Sequence, residues 1–81
     1  MWYVYLILTK KNKLYTGIST DPQRRFQEHL SGKKGAKYFR QDPPIRIVYQ
    51  EESPNRSDAT KRELQIKKMT RKQKEELIQQ D

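Results

Sequence analysis

The fold of this chain is decided near its beginning, where residues 2–19 read WYVYLILTKKNKLYTGIS. Trp2–Thr9 is rich in aromatic and branched apolar residues, and Leu14–Ser19 is a shorter run of the same kind, so both are predicted to be strands. The polar link Lys10–Lys13 between them is typical of a turn. Two short strands joined by a tight polar link predict a β-hairpin.

A helix is predicted directly after this hairpin. Thr20 or Asp21 can cap its first turn, and Pro22 suits that turn because no hydrogen-bonded N–H is needed there. Phe26 and Leu30 are four residues apart and are expected to form the apolar face of the helix.

The segment that follows is expected to be irregular until a third strand begins. Gly32 and Gly35 are expected to end the helix, and Pro43-Pro44 excludes further helix at that point. Ile45–Glu51 is predicted to be the third strand. Its alternation assigns one face to Ile45, Ile47 and Tyr49, and the other to Arg46 and Val48.

Two helices are predicted in the remainder of the chain. Ser57 or Asp58 is expected to cap the first, which continues to about Met69 with apolar positions at Ala59, Leu64, Ile66 and Met69. Thr70–Gln73 resembles a capping box and starts a final helix that reaches Leu77-Ile78. The predicted class is therefore α/β (α+β) in the order ββαβαα, a single domain at 1–81 whose small three-stranded antiparallel sheet is flanked by helices.

The composition describes a small protein without cysteine chemistry. Hydrophobic residues are 32% and charged residues 35% of the chain, but the apolar residues cluster in runs, which argues against disorder. The absence of cysteine excludes a disulfide or a thiolate metal site, and the single His29 excludes a histidine-rich metal cluster. The apolar run Trp2–Leu8 is too short for a signal peptide or a membrane span, so a cytoplasmic location is expected.

Net charge is the strongest bulk property of the chain. The formal net charge is +8 at pH 7 over 81 residues. Such a charge favours a polyanionic partner, with nucleic acid first and an anionic membrane second. A solvated basic surface, or association with the ribosome, is the alternative interpretation.

Five residues are spaced in a way that could form a phosphodiester-cleaving site. In chain order they are Tyr5, Tyr15 ten residues later, Arg25 after ten more, His29 one helical turn beyond, and the distant Glu63. A base can take a proton from water, a cation can hold the phosphate, and a carboxylate can hold a metal ion. Whether the two tyrosines share a face depends on the hairpin register, which the pattern does not fix.

These residues resemble the GIY-YIG nuclease superfamily, and the resemblance covers nearly the whole chain. The matching pieces are Tyr3-Val4-Tyr5, Leu14-Tyr15-Thr16-Gly17, Thr20-Asp21, Arg24–His29 and Arg62-Glu63. The likeness is greatest to small bacterial stand-alone members, which share the stretches at 14–17, 35–38 and 62–67. Any one piece is weak, but the ordered set is specific.

The resemblance implies an α/β nuclease domain that hydrolyses phosphodiester bonds in DNA with one divalent metal ion, Mg²⁺ or Mn²⁺. Because contacts to backbone and shape carry little sequence information, low sequence specificity is expected. DNA repair or recombination is the setting that the resemblance suggests. The implied partner is nucleic acid, DNA in the first place, and not a membrane.

The resemblance also implies roles for the five residues. Glu63 would hold the metal ion, and Arg25 would clamp the scissile phosphate. Tyr15, with Tyr5 beside it, would act as general base or position the water, and a phenol needs a lowered pKa for the first of these tasks. His29 would assist proton transfer or contact the phosphate.

Each of these residues has a plain alternative interpretation. Glu63 could pair with Lys67 one helical turn later, and Arg25 could be a surface arginine like its neighbour Arg24. Tyrosines on strands usually serve in packing, and His29 could be a capping or surface residue.

Further residues are expected to bind the nucleic-acid backbone. They combine lysine charge with one interleaved aromatic ring, and they are Lys33, Lys34, Lys37, Tyr38 and Lys67. Gly17 is expected to permit close approach by a helix or by DNA, or else to mark a strand-end turn.

The chain departs from the family pattern in ways that keep other functions open. Tyr3 stands where the first motif has glycine, and no asparagine follows Asn55, although many members place one after the glutamate. These departures favour the alternative of a catalytically inactive module that binds nucleic acid with the same fold. A basic RNA-binding or ribosome-associated protein is a third hypothesis.

Overall fold

The computed structural model describes residues 1–31 and 41–80. In chain order its elements are β1 (Trp2–Thr9), β2 (Leu14–Ser19), α1 (Pro22–Ser31), β3 (Pro44–Ser53), α2 (Arg56–Lys67) and α3 (Arg71–Gln79). Within these residues the strands form one antiparallel sheet in the order β2-β1-β3, so β1 is the central strand. The predicted order ββαβαα is confirmed. The expected helix end at Gly32 and Gly35 lies outside the described residues.

The β1–β2 hairpin closes through a tight turn that is held from two sides. Asn12 has a φ of 64°, a left-handed conformation that asparagine tolerates better than most residues, and its N–H donates to the Thr9 carbonyl at 2.9 Å. The buried Asp42 carboxylate accepts the Thr9 hydroxyl at 2.6 Å and the Lys11 N–H at 2.8 Å. This carboxylate therefore ties the turn to the chain just before β3.

The register of the hairpin places the two tyrosines on the same face of the sheet. Tyr5 is opposite Gly17, and Ile7 is opposite Tyr15. Because directly opposed residues point to the same side, Tyr5 and Tyr15 face the same way. Phe26 of α1 packs with Tyr5 and Ile7 on this face.

The opposite face of the sheet carries the second apolar cluster. Val4 and Leu6 of β1 pack there against Ala59 and Ile66 of α2 and Leu77 of α3. α1 and α2 therefore cover opposite faces of the three-stranded sheet. Within the described part of the chain, no helix is long and apolar enough to cross a bilayer.

The simple alternation predicted for the third strand is wrong. Tyr49 is opposite Leu6, but Ile47 is opposite Ile7, so the strand has one more residue than its partner at this point. Such an irregularity moves the residues on either side of it to opposite faces. Ile47 packs with the Tyr5 cluster and Tyr49 with the Val4 cluster. A second shift follows, and Ile45 is half exposed.

The start of α1 and the burial of Phe26 are confirmed, whereas the predicted burial of Leu30 is wrong. The Asp21 carboxylate accepts the Arg24 N–H at 3.2 Å, so Asp21 caps the helix before Pro22. Leu30 is 50% exposed, and the buried positions are Pro22, Phe26 and His29. Pro22 and Phe26 are four residues apart, and Phe26 and His29 are three apart, so the buried positions follow the helical period and the next one is 29 rather than 30.

Of the caps predicted for the last two helices, that of α2 is wrong and that of α3 is confirmed. α2 is capped by Asn55, whose side-chain oxygen accepts the Asp58 N–H at 2.8 Å, and not by Ser57 or Asp58. Leu64, predicted to be apolar core, is half exposed. The capping box of α3 is present, since Thr70 and Gln73 exchange hydrogen bonds at 3.2 and 2.9 Å. Met69 lies beyond the end of α2 and packs against the core.

Candidate active site

The centre of the candidate site is the ring of Tyr5, which lies across Gly17 on the edge strand β2. A Cβ atom at Gly17 would stand 2.6 Å from the Tyr5 Oη and 2.7 Å from its Cζ, closer than real side chains approach. Glycine is therefore required here so that the ring can pass. The close neighbour of Gly17 is therefore a tyrosine of the central strand and not a helix, and the strand-end turn is wrong because Gly17 lies within β2. Close approach by DNA stays a prediction.

Three of the other predicted residues, Tyr15, Arg25 and Glu63, lie close enough to the Tyr5 hydroxyl to act on it. Burial, and next the neighbouring Tyr15, raise the pKa of Tyr5 to about 12. Glu63 raises the same pKa, whereas Arg25 lowers it through its charge and through a hydrogen bond. Tyr5 is only 2% exposed. It is therefore a neutral phenol near pH 7, suited to hydrogen bonding rather than to acting as a base.

The two adjacent arginines of α1 have different surroundings. The side chain of Arg25 is 36% exposed and that of Arg24 is 73% exposed. Arg25 donates to Glu28 at 3.0 Å and also reaches Tyr5, whereas Arg24 lies 3.6 Å from the other Glu28 oxygen. Arg25 is thus turned toward the candidate site and Arg24 toward solvent. Glu28, which sequence reasoning did not assign a role, holds both side chains.

His29 is the fifth predicted residue, and it packs beside Tyr15. The His29 and Tyr15 ring centroids are 6.0 Å apart with an interplanar angle of 71°, an edge-to-face contact. His29 is buried, so the surface alternative is wrong. Burial, and then the positive charge of Arg25, lower the pKa of His29, while Glu28 acts in the opposite direction. The imidazole is therefore neutral near pH 7, and it can orient the Tyr15 ring.

Glu63 reaches the site from the other side of the sheet. Its helix α2 packs on the Val4 face, yet the Glu63 carboxylate is close enough to the Tyr5 hydroxyl to raise its pKa. The Glu63 side chain is only 17% exposed, and one oxygen lies 3.4 Å from Lys67 Nζ. The helical ion pair that sequence reasoning offered as an alternative therefore exists together with the approach to Tyr5.

A half-buried polar network anchors the part of α2 that carries Glu63. Arg62 Nε donates to both Glu51 oxygens of β3, at 3.0 and 3.2 Å, and the Tyr49 hydroxyl donates to Glu51 at 2.7 Å. Burial, and next the hydrogen bond to Glu51, raise the pKa of Tyr49 to about 12. Because Arg62 and Glu63 are adjacent, this pairing fixes the turn that presents the carboxylate. Sequence reasoning missed Tyr49 and Glu51, whose spacing carries no local signal.

The Glu63 carboxylate is the candidate metal ligand, and it suits one kind of metal ion. Across residues 1–31 and 41–80, no three His, Cys, Asp or Glu side chains gather where they could hold a metal together. Mg²⁺ is commonly bound through one or two carboxylates, with waters and substrate phosphate completing its octahedron. The single Glu63 carboxylate fits an ion of that kind, completed by substrate, and does not fit an ion enclosed by protein.

The residues expected to bind the nucleic-acid backbone are only partly described. Lys33, Lys34, Lys37 and Tyr38 lie outside the described residues. Lys67 is on α2, and its side chain is 52% exposed beside Glu63. Its position next to the carboxylate places one cation at the margin of the candidate site.

Comparison with known proteins identifies the family of this chain. The sequence model of the GIY-YIG catalytic domain matches residues 1–76. The chain belongs to the GIY-YIG family, whose members are endonucleases that generally use divalent metal ions and bind nucleic acid.

Similar sequences occur in bacteria. UPF0213 protein YhbQ of Escherichia coli O127:H6 is 47% identical over 77 residues, which are 95% of this chain and 76% of the relative. UPF0213 protein H16_B0156 of Cupriavidus necator is 49% identical over 73 residues, 90% of this chain and 78% of the relative. The chain therefore spans about three quarters of each relative.

Two solved structures have the same fold. The NMR structure of UPF0213 protein BH0048 from Bacillus halodurans has a TM-score of 0.59 and 40% identity, covering 96% of this chain and 83% of that one. The NMR structure of protein EF2693 from E. faecalis has a TM-score of 0.61 and 43% identity, covering 91% of this chain and 78% of that one. The helix-flanked antiparallel sheet is thus common to these relatives.

The contact between Tyr5 and Gly17 can be tested by a double-mutant cycle. Gly17→Ala is expected to destabilise the fold by about 1–3 kcal/mol, because the added methyl group overlaps the Tyr5 ring. In a Tyr5→Leu background the same change should cost much less, or stabilise by about 0.5–1 kcal/mol, since alanine normally fits a strand better than glycine. Urea denaturation of the four proteins measures both effects. An equal cost in the two backgrounds would mean that the ring does not constrain position 17.

Proposed function

We propose that this chain is a divalent-metal-dependent endonuclease that hydrolyses phosphodiester bonds in DNA with low sequence specificity. One observation carries the proposal. Arg25 from α1 and Glu63 from α2, on opposite faces of the sheet, both act on the Tyr5 hydroxyl at the β2 edge, with Tyr15 beside it. A cation, a carboxylate and two phenols at one place match the chemistry that phosphodiester hydrolysis requires.

Arg25 would bind the scissile phosphate and offset the negative charge that grows in the transition state. Its guanidinium is partly exposed, so a phosphate in solution can reach it. Its contacts with Glu28 and Tyr5 restrict its orientation before substrate arrives. A preoriented donor is worth more in the transition state than one that must first be ordered.

The two tyrosines and His29 would manage the attacking water. Tyr5, with its pKa raised to about 12, would donate or accept a hydrogen bond as a neutral phenol. Tyr15 is more exposed than Tyr5 and would position the water or accept its proton. His29, whose lowered pKa keeps it neutral, packs on the Tyr15 ring and would hold it in place.

Glu63 would hold Mg²⁺ or Mn²⁺. When bound, the ion would supply positive charge that offsets the negative charge of the phosphate oxygens. Lys67 would exchange its contact with Glu63 for a contact with the nucleic-acid backbone, because the ion and the ammonium group compete for one carboxylate. Backbone contacts carry little sequence information, so the protein would select its DNA substrates by backbone and shape. Repair or recombination is a setting in which such selection would serve.

The second candidate function is a nucleic-acid-binding module without catalysis, for DNA or for RNA on the ribosome. The ion pair between Glu63 and Lys67 favours it, because a surface carboxylate with no metal role would make that contact. The low exposure of the Glu63 side chain and its approach to Tyr5 favour the nuclease.

Cleavage assays on a panel of DNA structures test the proposed function. Branched, nicked, duplex and single-stranded substrates should be compared in Mg²⁺, in Mn²⁺ and in EDTA. We expect metal-dependent cleavage that Glu63→Gln abolishes while leaving DNA affinity nearly unchanged. Glu76→Gln removes an exposed carboxylate of α3 and serves as the matched control. Cleavage in EDTA equal to that in Mg²⁺, or full activity of Glu63→Gln, would refute the proposal.

The adjacent arginines provide a test of the phosphate clamp. Arg25→Ala should reduce turnover by hundreds of fold, roughly 3–4 kcal/mol, because one charged transition-state contact is lost. Arg24→Ala removes the same charge from the same helix but points to solvent, so its effect should be several-fold at most. Circular dichroism should show both variants folded, since the buried face is formed by Pro22, Phe26 and His29. Equal, small losses would place Arg25 among ordinary surface cations.

A further inference from the structure

A second cluster of positive charge lies at the tip of the β1–β2 hairpin, where the turn meets α3. The two segments enclose an open groove of about 510 Å³. Its lining includes four cations and two uncharged residues, which are Lys11, Lys13, Arg71, Lys74, Asn12 and Leu14. Among the described residues that line it, none is acidic. We call this the hairpin groove.

The hairpin groove lies on the sheet face opposite Tyr15. Leu14, which lines it, is opposite Leu8 in the register and belongs to the face of Leu6. Lys13 and Tyr15 are two positions apart in the chain, about 7 Å in an extended strand. The groove therefore begins beside the edge strand that carries the candidate active site.

One side of the groove is fixed before any ligand binds. The Arg71 guanidinium donates to the backbone carbonyl of Asn12 and, at 3.1 Å, to its side-chain oxygen. Arg71 Nε also donates to Glu75 at 3.2 Å. Asn12 is itself held by the tight turn, with its φ of 64°. These contacts join the tip of the hairpin to α3 and set the spacing of the surrounding lysines.

The lysines of the groove have no carboxylate partner in the described structure, whereas several other cations do. Arg24, Arg25, Arg62 and Lys67 each lie against a carboxylate. Within residues 1–31 and 41–80, Lys11, Lys13 and Lys74 form no ion pair with a carboxylate. Their charge is therefore not compensated within the described structure, and it attracts an anionic partner.

We infer that the hairpin groove binds the sugar–phosphate backbone of the same nucleic acid that enters the active site, away from the bond that is cut. This inference rests on the proposed function. Several ammonium groups spread over two elements match a row of phosphates better than they match one small anion. Lysine acts as a point charge that tolerates varied phosphate positions, which suits contacts that are independent of sequence.

A binding experiment without catalysis tests the inference. Affinity for a fluorescent DNA duplex should be measured in EDTA at several salt concentrations for three proteins. They are the unaltered chain, the groove variant Lys13→Ala with Lys74→Ala, and the control variant Lys61→Ala with Lys72→Ala. The control removes two lysines that do not line the groove, so the net charge of the two variants is equal.

The groove variant should bind roughly tenfold or more weakly near physiological salt, and its slope of log affinity against log salt should fall by about 2, because two phosphate contacts are lost. The control should lose several-fold less affinity and keep its slope. Equal losses in the two variants would overturn the inference while leaving the proposed nuclease intact.

Two further outcomes separate this inference from the proposed function. Weaker binding by the groove variant, with no cleavage by the unaltered chain in Mg²⁺ or Mn²⁺, would support the groove and refute the nuclease. Inorganic phosphate is titrated into the complex of the unaltered chain with the duplex. It should displace no more duplex than chloride does at the same ionic strength. Displacement by phosphate alone would show a site for a small anion and overturn the inference.

Discussion

The contact between the Tyr5 ring and Gly17 is the constraint on which the candidate site depends. Tyr5 belongs to the central strand, yet its ring extends over the edge strand β2, where any side chain at position 17 would block it. With glycine there, Arg25 and Glu63 approach one phenol from helices on opposite faces of the sheet. A small sheet thereby supports a site that neither face could form alone.

The features that were predictable from sequence are mostly local. The strands of the hairpin, the Asp21 cap and the capping box at Thr70 follow from residue types within a few positions. The features that were missed depend on distant partners. The shift near Ile47 is set by pairing with β1, and nothing in the sequence of β3 marks it. Gly17 was singled out correctly, but its neighbour became known only with the hairpin register.

The five candidate residues were identified by their resemblance to a family, and the structure explains why spacing alone was insufficient. The spacing predicts Leu30 on the buried face of α1, but His29 lies there instead and packs against Tyr15. A phenol needs a lowered pKa to act as a general base, whereas burial raises the pKa of Tyr5 to about 12, so Tyr5 does not fill that role. Glu28, Glu51 and Tyr49 hold the neighbouring charges in place, and only the folded arrangement assigns them that task.

A titration with Mn²⁺, followed by NMR on the ¹⁵N-labelled chain bound to a short duplex, tests the central claim most directly. If Glu63 and the two tyrosines form one metal and phosphate site, paramagnetic broadening should centre on the amide of Glu63. It should extend to Tyr5 and Gly17 across the sheet, and Glu63→Gln should remove it. Broadening that centres elsewhere, or that persists in Glu63→Gln, would contradict a metal site at this edge of the sheet.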